Sequence, residues 1–259
     1  MFSPADFDII DMHTHPFLSA ENRFGRFWHT ETLEDFLAVM AKYNIGKFAG
    51  SFIAKSEAGE DFSAIVKLNE MALRLRDRCP ENYIPGIQLH GGYPQESCRM
   101  LHEMYAQGVR LVGELVPYML NTGAYTSSGM MEIFREVEKL GLPVDLHCGT
   151  TEELTTLAAA FPELKIITAH PGDGAALVEK IDTVAGFDNL YLDLSGTGLF
   201  RWGMLEHAVK RCGAEKLLFG SDMPICNPVM NLYAVLSENI SRKAMSLILG
   251  GNFRRLAGI

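Results

Sequence analysis

No run of apolar residues in this 259-residue chain approaches the roughly 20 needed to cross a bilayer as a helix, so no membrane partner is expected. No cluster of Lys and Arg occurs either. The 32 acidic residues outnumber the 23 basic ones, for a net charge of -9, which argues against nucleic acid as a partner. Cysteine is scarce: five residues, an odd number, none in CxxC spacing. That pattern fits a reducing cytoplasm better than a disulfide framework. The N-terminus has neither the basic region nor the apolar stretch of a secretory leader, and a cytoplasmic location is expected. Low-complexity tracts, long Pro/Gly/Ser linkers and fixed-period repeats are missing too. No Gly-rich phosphate loop follows the first strand-like run, which counts against a doubly wound nucleotide-binding sheet.

What is present is ample apolar material, 47% of residues, enough for a large core without staples. Short apolar runs alternate with helical patterns. The runs are Phe7–Met12, Ile45–Phe52, Tyr83–Leu89, Val109–Leu115, Pro143–His147, Lys165–Ala169, Leu190–Leu194 and Leu217–Gly220. Continuous apolar runs buried on both faces are typical of parallel sheets. Between them, Thr32 with Asp35 resembles a capping box, and Leu33, Phe36, Leu37 and Met40 follow helical spacing. Thr150 with Glu153 opens a helix carrying Leu154, Leu157, Ala158 and Phe161, which Pro162 ends. Asn252, after Gly250 and Gly251, is expected to cap a last helix. Eight strand–helix units in this length predict one (β/α)8 TIM barrel with minimal insertions, spanning residues 1–259 as a single domain.

In such a barrel the reactive groups gather where the strands end and the loops build the mouth. His13 and His15 end the first run, in "DIIDMHTHPF". Glu114 ends the fourth, in "LVGELVP"; His147 the fifth, in "LPVDLHCG"; His170 the sixth, in "KIITAHPG"; Asp222 the eighth, in "LLFGSDMP". Side chains alternate across a strand, so His13 and His15 can lean the same way and converge on one ion, with Thr14 pointing away. Each residue alone has a bland reading: a hydrogen-bonded core histidine, or an aspartate capping a turn. Glu114 is harder to dismiss, because a buried carboxylate without a cation costs several kcal/mol. All six at strand ends together predict a metal site.

This ordered set resembles the amidohydrolase superfamily of metal-dependent barrels. The words "IIDMHTHP", "ITAHPGD", "LLFGSDMP" and "GNFRRLAG" narrow the resemblance to the amidohydrolase-related (amidohydrolase 2) branch, which holds hydrolases of small organic substrates and non-oxidative decarboxylases. The resemblance implies that His13, His15 and Asp222 bind a first divalent ion. In one-metal members His147 joins them, and His170 acts as acid/base or orients the substrate. In two-metal members a strand-four carboxylate, here Glu114, bridges to a second ion held by His147 and His170. A carboxylate there tilts the expectation toward hydrolysis of an amide, ester or lactone, with one or two ions left open. Nitrogen and oxygen donors suit zinc first and manganese second. Asp222 is the implied general base and then acid. A carbon–carbon lyase, a TatD-like nuclease and a retired, non-catalytic barrel are the rivals, in that order.

Asp11 shares the strand parity of His13 and is a candidate to orient it. The mouth loops offer Arg23, Arg26, Trp28, His29, His90, Tyr93, Tyr118, Tyr125, Arg201 and Trp202 as substrate contacts, suited to a small anionic molecule. Cys148 is read as a small buried residue, and His102 and His207 as structural or solvated. Short mouth loops leave a site that is open or completed by a homodimer partner.

Overall fold

The computed structural model describes residues 2–25, 27, 30–53, 62–147 and 149–259. Strands β1 (Ile9–Asp11), β2 (Ile45–Gly50), β3 (Tyr83–Ile87), β4 (Leu111–Leu115), β5 (Pro143–Leu146), β6 (Lys165–Thr168), β7 (Leu190–Asp193) and β8 (Leu217–Leu218) form one sheet in sequence order. Each neighbouring pair is parallel. The sheet curls until its edges meet. Met12 N–H donates to Phe219 O at 3.0 Å, Asp222 N–H to His13 O at 2.8 Å, and His15 N–H to Met223 O at 2.8 Å. The chain is a (β/α)8 TIM barrel, as its apolar runs foretold. The strands are shorter than those runs, Leu217–Gly220 shrinking to two residues, because the backbone leaves regular pairing near the mouth.

Helices α1 (Leu33–Lys42), α2 (Phe62–Arg78), α3 (Pro94–Ala106), α4 (Pro117–Leu120), α5 (Ser128–Lys139), α6 (Thr151–Ala160), α7 (Gly174–Gly186) and α8 (Met204–Cys212) link the strands, and α9 (Pro228–Ser237), α10 (Arg242–Ser246) and α11 (Asn252–Ala257) follow β8. Both expected capping boxes form. Thr32 Oγ1 accepts from Asp35 N–H at 3.1 Å while Asp35 accepts from Thr32 N–H at 3.0 Å, and Thr150 with Glu153 repeats the exchange. Such a cap stabilises a helix by about 1 kcal/mol. Asn252 corrects its expectation. The chain stays helical from α10 through a π turn at Leu247–Gly251, so no free helix end exists there to cap. Its amide instead donates to Ala214 O at 2.7 Å and Leu217 O at 2.8 Å, tying α11 to the start of β8.

Two apolar layers result. One lies between sheet and helices, with Phe36, Phe48, Phe134, Leu157, Ile181 and Leu205 among its buried members. The other fills the barrel itself: Ile10, Met12, Ala49, Leu111, Ile167 and Leu218 pack on Phe253, Leu256 and Ala257 of α11, closing the end where the strands begin. No helix among the described residues is long and apolar enough to cross a membrane.

Candidate metal centre

The opposite end, where the strands finish, is polar inside. The structure brings the six expected side chains together there. The His13 ring centroid is 5.1 Å from those of His15 and His170, and His170 is 5.0 Å from His147. Glu114 sits at the middle. Its Oε2 lies 3.5 Å from His13 Nε2 and 3.2 Å from His15 Nε2, and its Oε1 lies 2.8 Å from His147 Nδ1 and 3.3 Å from His170 Nε2. Asp222 Oδ1 completes the first pair, 3.4 Å from His15 Nε2 and 3.8 Å from His13 Nε2.

These spacings fit a cation. Donors each about 2.0–2.2 Å from a tetrahedral ion stand roughly 3.3–3.6 Å apart. Moreover, His13 Nε2 and Asp222 Oδ1 are buried and lack any hydrogen-bond partner, a state that costs about 1–3 kcal/mol per group unless something binds there. His13, His15 and Asp222 form one group of mutually close donors, and His13, Glu114 and His170 another.

The electrostatics point the same way. Five carboxylates, from Asp11, Glu114, Asp145, Asp193 and Asp222, are buried around the histidines. Burial opposes an imidazolium at His13, yet the charges of Glu114, Asp193 and Asp145 hold its pKa well above the ordinary value. Burial likewise opposes ionisation of Glu114, and the His13 charge with the close ring nitrogens of His147 and His15 overcomes it, holding the carboxyl well below the usual range. Asp145 is pushed up to about 6 and Asp11 to about 7, chiefly by burial. For His170, burial is the largest single influence and lowers the pKa, but the neighbouring Glu114 and Asp222 carboxylates together outweigh it, and the balance is upward. A site that must gather protons to neutralise its carboxylates is one that a divalent cation suits.

The surrounding residues explain how the site is held. His15 Nδ1 lies 3.2 Å from Ser51 O, which fixes the ring. Ser51 Oγ and Gln88 Nε2 both donate to Glu114 O, at 3.0 and 2.6 Å, and Asn69 in α2 anchors Gln88 through two bonds at 2.8 and 2.9 Å. Behind His13, Nδ1 meets Asp193 Oδ2 at 2.7 Å and Asp145 Oδ2 at 3.2 Å, ion-pair contacts rather than aligned hydrogen bonds. Asp193 and Asp145 thus take the place assigned to Asp11, whose Oδ1 instead accepts from the backbone N–H of Ser221 at 2.9 Å and of His13 at 3.3 Å. A lone Asp inside "PVDLH" or "LYLDLS" has no ligand-type spacing. Its signal is a charge inside a strand apolar on both sides.

Two of the six residues stand on left-handed backbone, His170 at φ 61° and Asp222 at φ 63°, a region that non-glycine residues rarely adopt. The surroundings hold both. Lys180 Nζ donates to His170 O at 2.6 Å, and Asp222 is bonded through its N–H to His13 and through its O to Cys226 N–H at 2.9 Å.

The expected substrate contacts separate. Tyr118 is exposed, with its ring 5.3 Å from that of His147, and Trp202 is exposed at the rim. Tyr125 is buried and structural, its one hydroxyl hydrogen shared between Leu115 O at 2.8 Å and His147 O at 3.0 Å. His90 is buried, its Nδ1 accepting from Gly92 N–H at 2.9 Å, and Tyr93 packs beside it. Arg201 is engaged by Asp173 through two bonds at 2.8 and 2.7 Å, and Arg23 donates to Thr30 O at 3.1 Å. His102 pairs with Glu136 at 3.2 Å on the surface, and His207 is exposed. Arg26, Trp28, His29 and Cys148 lie outside the described residues.

Comparison with known proteins bears on the fold and the family. An uncharacterised protein, y4mH, of Sinorhizobium fredii is 29% identical over 109 residues, spanning 36% of this chain and 37% of that protein. Among solved structures, the uncharacterised TIM-barrel protein Bb4693 of Bordetella bronchiseptica is 23% identical with a TM-score of 0.77, covering 97% of this chain and 99% of that one. A probable 2-pyrone-4,6-dicarboxylic acid hydrolase of Acinetobacter baumannii, with citric acid bound, is 18% identical with a TM-score of 0.70, covering 98% and 100%. A dihydroxybenzoic acid decarboxylase of Polaromonas sp. JS666, with manganese and 2-nitroresorcinol bound, is 18% identical with a TM-score of 0.65, covering 97% of each. The family model described as Amidohydrolase (Amidohydro_2) matches residues 10–259, and the chain belongs to that family.

Proposed function

We propose that this chain is a metal-dependent hydrolase that cleaves an amide, ester or lactone bond in a small organic substrate. One observation carries the reading: the Glu114 carboxylate turns one oxygen to His13 and His15 and the other to His147 and His170. A carboxylate so placed would serve cations held on either side of it. His13, His15 and Asp222 would hold the first, His147 and His170 the second. Such ions supply Lewis acidity, polarising a substrate oxygen and acidifying water near neutral pH. Zinc suits the nitrogen and oxygen donors best, with manganese second.

The protein's own groups do the rest. Asp222, with Oδ1 free of hydrogen bonds and facing His15 Nε2 at 3.4 Å, accepts a proton from the attacking water and returns it to the leaving group. Tyr118, beside His147 at the rim, gives the substrate an aromatic face.

The decarboxylase among the structural neighbours names the rival reaction. Metal analysis of the purified protein, followed by a panel of amides, esters, lactones and aromatic carboxylates in 18O-water, separates the two. Hydrolysis places solvent oxygen in the product with about two ions per chain. Release of carbon dioxide without solvent oxygen, or a protein that binds no divalent ion, overturns the reading.

A further inference from the structure

We propose that Ser195 is a positioning residue that fixes the tautomer of His170, an inference that rests on the metal-site reading above. Ser195 follows β7 in the stretch "LDLSGTG" and is fully buried. Its Oγ donates to Asp193 Oδ2 at 2.5 Å and lies 3.0 Å from His170 Nδ1. Asp193 Oδ1 accepts from Ser195 N–H at 3.0 Å, so the backbone and the hydroxyl of Ser195 both end on this one carboxylate.

Counting protons decides the direction of the chain. A hydroxyl has one hydrogen to give, and an ionised carboxylate can only accept. With the Ser195 proton committed to Asp193, the remaining bond requires His170 Nδ1 to be the donor. The neutral imidazole then carries its hydrogen on Nδ1, and its free lone pair is on Nε2, the atom that faces Glu114 at 3.3 Å. Histidine ligands are set in this way by the bond their second nitrogen makes.

The rest of the turn is shaped to the same ring. Gly196 has φ +64°, and a Cβ there would come within 2.6 Å of His170 Nδ1. Only a residue without a side chain lets the ring lie flat against the turn. His170 itself stands on left-handed backbone, so its ring position is dictated by its neighbours rather than by a relaxed main chain. The same Asp193 oxygen reaches His13 Nδ1 at 2.7 Å, so one buried carboxylate orders an imidazole from each half of the proposed centre.

The test is long-range 1H–15N NMR of histidine-labelled protein, loaded with zinc and also metal-free at a pH that leaves the ring neutral, with His170 assigned by His170→Gln. The expected wild-type pattern is Nδ1 protonated and Nε2 bare or metal-bound. Ser195→Ala should lose that preference and weaken zinc retention against a chelator by about 10–100-fold, with Ser195→Thr restoring both. A wild-type His170 protonated on Nε2 overturns the proposal before any variant is made. So does a Ser195→Ala protein with the wild-type tautomer and zinc affinity. Should no ion bind at all, the hydrolase reading fails, while the metal-free spectrum still decides the role of Ser195.

Discussion

Asp193 Oδ2 lies 2.7 Å from His13 Nδ1, and neither side chain is open to solvent. An imidazole gripped on Nδ1 by an anion presents Nε2 as a stronger base, which is what a cation ligand requires. Asp193→Asn keeps the shape and removes the charge. Divalent-ion affinity should fall by about 10–100-fold, read by competition with a chromogenic chelator, while the far-UV circular dichroism stays unchanged. Undiminished affinity would show that His13 needs no such partner.

Glu114→Gln removes the shared carboxylate but keeps an oxygen for one side. The expected result is loss of one ion per chain, from about two to about one, measured by elemental analysis after gel filtration. Two ions retained per chain would deny Glu114 its bridging place.

Asp222→Asn separates proton transfer from metal retention. Turnover should drop by about 10²–10⁴-fold, with most metal still bound through the histidines. Near-normal turnover on any substrate identified in the panel would remove Asp222 as the proton carrier.

Metal uptake should be coupled to proton release. In the metal-free protein the charges of Glu114, Asp193 and Asp145 outweigh burial, so His13 holds its proton to higher pH than an ordinary imidazole does. An ion taking Nε2 must displace it. Because His13 has a raised pKa, affinity should climb by about tenfold per pH unit below that pKa for one displaced proton, and level off above it. Calorimetry in buffers of different ionisation enthalpy reads the proton count. An affinity flat from about pH 6 to 8 would contradict the coupling.

Gly220 lies where two of these groups meet. A Cβ there would approach Asp193 Oδ1 to 2.2 Å and His13 Cβ to 2.6 Å. Gly220→Ala should destabilise the fold by about 1–3 kcal/mol and reduce bound metal, seen as a lower melting temperature in the loaded protein. An unaltered melting point would mean that Asp193 can yield at no cost.

Much of this architecture is legible in the chain alone, and the reasons are physical. Parallel strands buried on both faces must be apolar throughout, so runs such as Lys165–Ala169 identify themselves. Chemistry placed at strand ends interrupts those runs with polar residues in a fixed order, as His13, His15, His147, His170 and Asp222 do. What escapes is the layer behind them. Asp145, Asp193, Ser195 and Gln88 act through contacts between strands whose spacing no linear pattern encodes. Asp11 shares the parity of His13 but meets backbone N–H groups, because β1 stops at Asp11 and regular alternation with it. Asn252 looks like a cap after two glycines, yet the helical ladder runs through them by widening to a π turn.

The packing of Phe253 and Leu256 of α11 against the barrel interior has a further implication for traffic. With that end stoppered by greasy side chains, a small molecule would have to reach the proposed centre from the opposite rim, where Tyr118 stands exposed. Under the proposed hydrolysis, a bulky product lingering at that rim would act as its own inhibitor.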